Sequence, residues 1–280
     1  MYKQFCLLLL LPILSSIGIL YFKFKLLFTI ITTLLSIFIY IVFRNTKLVY
    51  KSIEDIINLI KSKYSLKSID IGEFKKLTAY GVISFNSEIY HIKDLGILSI
   101  LTSNLGFMQL FTLQIVPFEK DLPLLTVDIM YMFNKRIFFI EIYDLMLDNK
   151  NAEYKSFLNQ VEEVKKNFSE FENFKTKENW YTQLLSGLLS KKYTIKDEQK
   201  FVELLNKIIT MFIEYSIKEK KIENLEKKVA LVEGFGNKLV DKSGISTDMF
   251  KRLFGVDRTR KFLGNVLFGY YTFKEIAKLK

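Results

Sequence analysis

The sequence predicts an α+β protein, an α/β/α sandwich on a central, mostly antiparallel sheet, preceded by an N-terminal transmembrane helical hairpin. Three observations predict it. Between residues 77 and 145, apolar and β-branched runs follow one another with only short polar stretches between them, the pattern of sequential antiparallel strands. From residue 152 the apolar spacing becomes helical. Ahead of both, residues 5–22 and 26–43 are uncharged runs of 18 residues each, enough at about 1.5 Å per residue to cross most of a roughly 30 Å hydrocarbon layer.

The two apolar runs are separated only by Lys23, Phe24 and Lys25, so a tight helical hairpin over residues 1–45 is expected. No small-x-small cleavage site follows the first run, which argues against a signal peptide. Arg44, Lys47 and Lys51 follow the second run and place the soluble body in the cytoplasm by the positive-inside rule. The expected location is therefore the cell membrane, as a multi-pass protein.

Next, residues 52–60 carry an N-cap serine and apolar residues at Ile53, Ile56, Ile57 and Ile60, a short amphipathic helix. Strands are expected over residues 77–85, 89–101 and 108–116, with a turn at 104–106. The strand over 122–133 is apolar on both faces and must be covered on both. Asp128 interrupts it. Counting by two puts Asp128 on one face with Leu124, Thr126, Met130 and Met132, where a carboxylate needs a partner or a raised pKa. After a polar turn at Asn134, Lys135 and Arg136, residues 137–145 form the antiparallel neighbour, with Glu141 beside Ile137, Phe139 and Tyr143.

Helices over residues 152–171 and 197–232 present apolar faces that cover the sheet. The tract KEKKIENLEKK within the second reads as a solvated charged face. Ser246 or Thr247 caps a helix that stops at Gly255, and Asp257 caps one that runs through Leu267.

Composition narrows the function. The net charge is +11, but residues 1–51 hold six Lys and Arg and no acid, leaving 35 basic against 30 acidic residues, or +5, for the rest. Much of the basicity flanks the apolar runs, and nothing supports a nucleic-acid partner. One cysteine, Cys6, excludes an intramolecular disulfide, and one histidine, His91, leaves too few ligands for a structural zinc site. No phosphate loop, HExxH, GxSxG or dinucleotide fingerprint occurs.

The run LPLLTVDIM, with Pro123 five residues before Asp128, resembles the central strand of ferredoxin-dependent bilin reductases and red chlorophyll catabolite reductase. NSEIYHIKD (86–94) is similar to that family's early Ser, Tyr and basic strand. LQIVPFEKDLP (113–123) is similar to its strand and proline loop, and FKRLFGVDRTRKFLGNVLFGY (250–270) to its closing helices. The resemblance spans residues 52–271, and residues 52–274 are taken as a bilin-reductase-like α/β/α domain.

That resemblance implies a linear tetrapyrrole held between sheet and helices, electrons supplied singly by external reduced ferredoxin, protons from side chains, and no bound cofactor or metal. Asp128 matches the family's central-strand aspartate and is its implied catalytic proton donor. Thr112 stands where phycocyanobilin-type enzymes carry histidine, with Gln114 on the same strand face. These two, with Thr126 and Met130, are the implied substrate contacts. No acid occurs over residues 95–103, where those enzymes carry a glutamate. Gly244 aligns with a loop aspartate for which Asp241 substitutes as a further substrate contact, and Gly269 replaces the aspartate of the family's closing LFD. His91, on a strand and facing either pocket or solvent, is read as a non-catalytic strand residue, and the cluster Lys251, Arg252, Arg258, Arg260 and Lys261 as ordinary helix-surface charges or alternatively as a docking patch for an acidic electron donor. The missing acids leave two other readings open: a non-catalytic tetrapyrrole carrier or sensor of the same fold, and a membrane scaffold.

Overall fold

A computed structural model describes residues 2–105, 108–148, 152–175, 178–242 and 244–279, with side chains of 2–20, 245 and 246 outside the description. The chain divides into two compact units, Met1–Arg44 and Asn45–Lys280.

Helix α1 runs unbroken over Tyr2–Lys61, which corrects both the hairpin and the separate helix over residues 52–60. Lys23, Phe24 and Lys25 lie inside it. None of the three is Gly or Pro, the residues that stop a helix cheaply. The stretch Tyr21–Lys61 is one helix apolar enough to cross a membrane by length and composition, with a mean hydropathy of 2.6 in its most apolar window. Among the described residues there is one candidate span, and a multi-pass arrangement is not supported. Within the first unit, Tyr21 and Phe24 are 70% and 71% exposed.

Among the described residues the second unit is built on nine strands, β1 (Leu66–Ile69), β2 (Lys76–Ala79), β3 (Ile83–Ile92), β4 (Gly96–Asn104), β5 (Met108–Pro117), β6 (Leu124–Met132), β7 (Lys135–Tyr143), β8 (Glu172–Asn173) and β9 (Leu185–Thr194). Their order is β1-β3-β4-β5-β6-β7-β9-β8, with β2 also on β3. Every pairing is antiparallel. Helices α2 (Ala152–Asn167) and α3 (Glu198–Lys218) cover one face together with the last turns of α1, through Val49, Ile53, Ile56 and Ile60. Helices α4 (Leu225–Lys242), α5 (Ile245–Phe254), α6 (Val256–Phe262) and α7 (Tyr270–Ala277) lie on the other, with a π-helical turn over Leu263–Leu267 between the last two. This is the expected α+β sandwich.

Several boundaries differ for local reasons. The expected strand over 89–101 is two strands, folded back at Asp94 with φ of 65° and at Gly96. A Cβ on Gly96 would lie 2.2 Å from the Val116 carbonyl oxygen, so only glycine lets β4 start so close to β5. The strand over 77–85 is likewise split, at Tyr80 and Gly81. The expected turn at 104–106 reaches Gly106, outside the described residues, as does the side chain of Ser246. Gly244 occupies the cap position of α5, and Gly255 that of α6. The long helix over 197–232 is α3 and α4, joined by a segment that bridges Lys221 to Lys120. In the tract expected to be solvated, Lys228 is 1% exposed. Its Nζ donates to Asp121 Oδ1 and to the carbonyls of Leu122 and Leu145.

Arg136 also reverses its expected place. The β6–β7 turn is only Phe133 and Asn134, because Met132 pairs with Lys135. Arg136 is therefore a strand residue, 0% exposed. Its Nε donates to Glu198 (3.2 Å), Nη1 to the carbonyls of Phe133 (2.9 Å) and Lys135 (3.1 Å), and Nη2 to Asn45 (2.9 Å). Its guanidinium lies 4.5 Å from the centre of the Tyr131 ring. One side chain thus ties the turn, α3 and the buried Asn45 together. Removing one partner of a buried charge network leaves the others unpaired, so Arg136→Met is expected to cost about 3–5 kcal/mol. Arg136→Lys should also destabilise, because an ammonium cannot span the same fork of acceptors. Urea unfolding of the full chain in detergent checks this, and a loss below about 1 kcal/mol for both variants would sink it.

Candidate functional site

The two faces of the β5–β6–β7 hairpins are covered unequally. On the α2/α3 face, Val127, Ile129 and Tyr131 are essentially inaccessible. On the α4–α7 face of β6, Leu124 and Thr126 are buried, but Asp128, Met130 and Met132 are only half-buried. The neighbours repeat the step. Met108, Leu110 and Thr112 of β5 and Ile137, Phe139 and Glu141 of β7 are half-buried, as are Leu188 and Ser190 of β9. Alternate burial along four adjacent strands marks one sheet face that its helices cover only in part, a cleft floored by strands.

Asp128 is the innermost half-buried residue that β6 gives to this floor. The register aligns Thr112, Asp128, Phe139 and Ser190 across β5, β6, β7 and β9, and the Thr112 hydroxyl donates to Asp128 Oδ1. Burial raises the Asp128 carboxyl to about 6, against the pull of that hydrogen bond. The group is thus desolvated by surrounding protein while its residue keeps some accessible surface. Both hold for a residue on a sheet face that the helices cover only in part.

One row further in, Ser99, Gln114, Thr126, Glu141 and Leu188 align across β4, β5, β6, β7 and β9. Ser99, Gln114 and Thr126 are buried, yet Ser99 Oγ, Gln114 Oε1 and Thr126 Oγ1 make no hydrogen bond to the protein among the described residues. The Oγ atoms of Ser87 and Ser103, flanking on β3 and β4, are in the same condition. Buried polar atoms are nearly always paired in folded proteins, so this cluster is suited to a polar ligand edge or to water. Glu141 accepts from the Tyr143 hydroxyl at 2.8 Å. Burial first, and then the charge of Asp128, raise it to about 7. An aromatic wall closes the inner end, with Phe235 of α4 5.2 Å from Tyr143 and 5.9 Å from Trp180 between ring centres.

Of the residues singled out in the sequence, Thr112, Gln114, Thr126, Asp128 and Met130 share this face. Asp241 does not join them. It lies on the exposed side of α4, where Arg260 Nη2 donates to it at 2.7 Å. His91 sits three strands from Asp128 and contacts Glu119 at 3.1 Å. In the basic cluster, Lys251 pairs with Asp248, Arg258 with Glu73 and Arg260 with Asp241. A separate, wide-open depression of about 760 Å³ is lined by Asp257, Arg260, Lys274 and Glu275 among others, and holds none of the residues singled out as site residues in the sequence. Gly269, where the family resemblance implies an aspartate, has φ of 62°. A Cβ there would lie 2.8 Å from the Ile97 side chain, so an acid at this position would be strained and crowded. The sequence reading passed over Glu141 and Tyr143 as site residues, although the β6–β7 turn length fixes their register.

No family model matches the chain, and no curated protein matches it in sequence. Among solved structures, the chain is similar to selenomethionine phytochromobilin synthase from tomato in complex with biliverdin. The TM-score is 0.67 at 11% identity, over 80% of this chain and 83% of that one. At that identity the likeness is one of fold. The sandwich of mostly antiparallel sheet and helices is a bilin-reductase-like fold, and that neighbour holds a linear tetrapyrrole.

The raised carboxyls make stability depend on pH. An acid whose folded pKa exceeds its unfolded value binds protons more tightly in the folded state, so stability falls as pH rises from about 4 through about 7. Asp128→Asn removes the ionising group. It is expected to leave stability nearly unchanged at pH 4 and, after allowance for partial exposure, to raise it by about 1–2 kcal/mol at pH 8. Denaturant titrations at the two pH values check this; an equal effect at both would contradict the burial of an ionising Asp128.

Proposed function

We propose that the chain is a bilin-reductase-like protein that reduces a linear tetrapyrrole lying against the half-covered face of β5, β6, β7 and β9. Electrons come singly from an external reduced ferredoxin, and Asp128 delivers a proton. The observation that carries this reading is the Asp128 carboxyl, desolvated on the floor of a cleft and holding its proton to about pH 6. A general acid works best when its pKa lies near the working pH, and burial supplies that here. Thr112 orients the carboxyl through Oδ1. Gln114 and Thr126 offer unpaired polar atoms to the pyrrole and lactam edge, and Met130 and Phe139 offer apolar surface to a flat conjugated body. The apolar helix, whose side chains over residues 21–40 are mostly exposed, supports membrane association through one span.

Biliverdin is the probe for the test, and the single Trp180 beside Phe235 reports its binding by quenching. The full chain is expected to bind biliverdin and, with reduced ferredoxin under anaerobic conditions, to bleach its long-wavelength absorption. Asp128→Asn should bind it comparably and turn it over about 10²- to 10⁴-fold more slowly. Binding without any spectral change in the wild type would replace this reading with that of a carrier or sensor. Unchanged turnover in the variant would remove Asp128 from the chemistry.

A further inference from the structure

Strand β7 brings a second acid to the same floor. Asp128 faces Phe139 and Thr126 faces Glu141, so Glu141 is the diagonal cross-strand neighbour of Asp128, at a Cα separation of about 7–8 Å. Each carboxyl is held by one hydroxyl alone: Thr112 on Oδ1 of Asp128, and Tyr143 on Oε2 of Glu141. Neither makes another hydrogen bond to the protein or an ion pair with Lys, Arg or His among the described residues, so one oxygen of each is left for the cleft. The ionisable groups facing Glu141 are Asp128 on β6, Tyr143 on its own strand and Tyr181 of the segment before β9. Among the described residues no cation offsets the pair.

From this geometry we propose that Glu141 is the second acid of the site, and that it and Asp128 each supply one of the two protons a two-electron reduction consumes. The proposal rests on the reductase reading. Two electrons arrive singly from an external iron–sulfur protein, and the substrate loses one double bond. One O–H bond breaks on each carboxylic acid, and one bond to hydrogen forms on each of two substrate atoms. Both residues finish as carboxylates and are reprotonated from water. The spacing orders the events. Once the first proton has left, the new carboxylate opposes ionisation of its neighbour across a low-dielectric gap. The second proton is therefore retained until the electrons on the substrate draw it away. Tyr143 is a positioning residue, fixing one oxygen of Glu141 and leaving the other free.

An infrared titration of the full chain in detergent tests the pair without any turnover. The wild type should show protonated-carboxyl absorption near neutral pH that is lost in two overlapping steps. Glu141→Gln should remove one component and lower the midpoint of the other toward the ordinary carboxylate range, and Asp128→Asn should act reciprocally. Variant midpoints equal to the wild type, or no protonated carboxyl above pH 5, would overturn the proposal. In anaerobic turnover of biliverdin with reduced ferredoxin, Glu141→Gln should keep the Trp180 quenching and lose at least about tenfold in rate. Glu141→Asp should restore part of that loss with a shifted pH profile. Turnover by Glu141→Gln at the wild-type rate and pH profile would also overturn it. If the wild type itself leaves biliverdin unreduced, the reductase reading fails, and the infrared titration still decides whether the two acids titrate as a pair.

Discussion

A sheet whose central strands are apolar on both faces has to be covered twice, and this requirement shapes the molecule. Strands β4 to β7 carry Leu, Ile, Val and Phe on either side, and each such side chain left in water would forgo about 1.5–3 kcal/mol. On one face α2, α3 and the last turns of α1 close over the sheet, and the core there runs continuously from Ile92 to Tyr193. On the other, four helices of 7 to 18 residues crowd toward β3 and β4. Phe250 and Phe254 pack on Phe85, and Phe273 stacks on Phe118. Cover is thinner over β6, β7 and β9. The uncovered part of the second face is where the chain places its acids, hydroxyls and methionines.

Much of this was legible in the sequence because it rests on composition and period. The apolar strands, the change to helical spacing and the isolated Asp128 are all visible as patterns along the chain. What was not legible depends on single turns. A turn of Asn134 to Arg136 would pair Phe133 with Ile137 and hence Asp128 with Ile142, turning Glu141 to the opposite face. The observed turn is one residue shorter and starts at Phe133, which has φ of 52°. That conformation is uncommon for a bulky residue, and no local signal announces it. The Phe133 carbonyl accepts from both Arg136 and Asn45, contacts distant in sequence that hold the turn where propensity alone would not. Strand β9 was missed for a related reason. It lies between helices, and its pairing with β7 is a long-range decision.

Charge patterning misled in the same way at Lys228 and Arg136, each of which sits in a polar stretch of sequence. A cation enters a protein interior only where its donors meet acceptors from elsewhere in the fold, and those acceptors are invisible to a local window. Lys228 finds Asp121 and two main-chain carbonyls at the ends of β6 and β7. Asp121 is itself pinned by the backbone N–H groups of Leu147 and Asp148.

These cations give the measure of the acids. Arg136 engages four acceptors and Lys228 three, so burial of each is matched by bonds. Burial still lowers the Lys228 ammonium to about 8, against the opposing charge of Asp121. Asp128 and Glu141 are also desolvated, but each receives a single hydroxyl against a carboxylate's capacity for several donors. Arg136 and Lys228 are buried with several partners each, and these two acids are not. Their exception lies on the half-covered face, beside buried hydroxyls that are also unpaired. With both carboxyls raised by burial, replacing these acids with amides would gain stability above neutral pH. On the proposed reading, what these two groups contribute is a proton near neutral pH rather than a contact that holds the fold together.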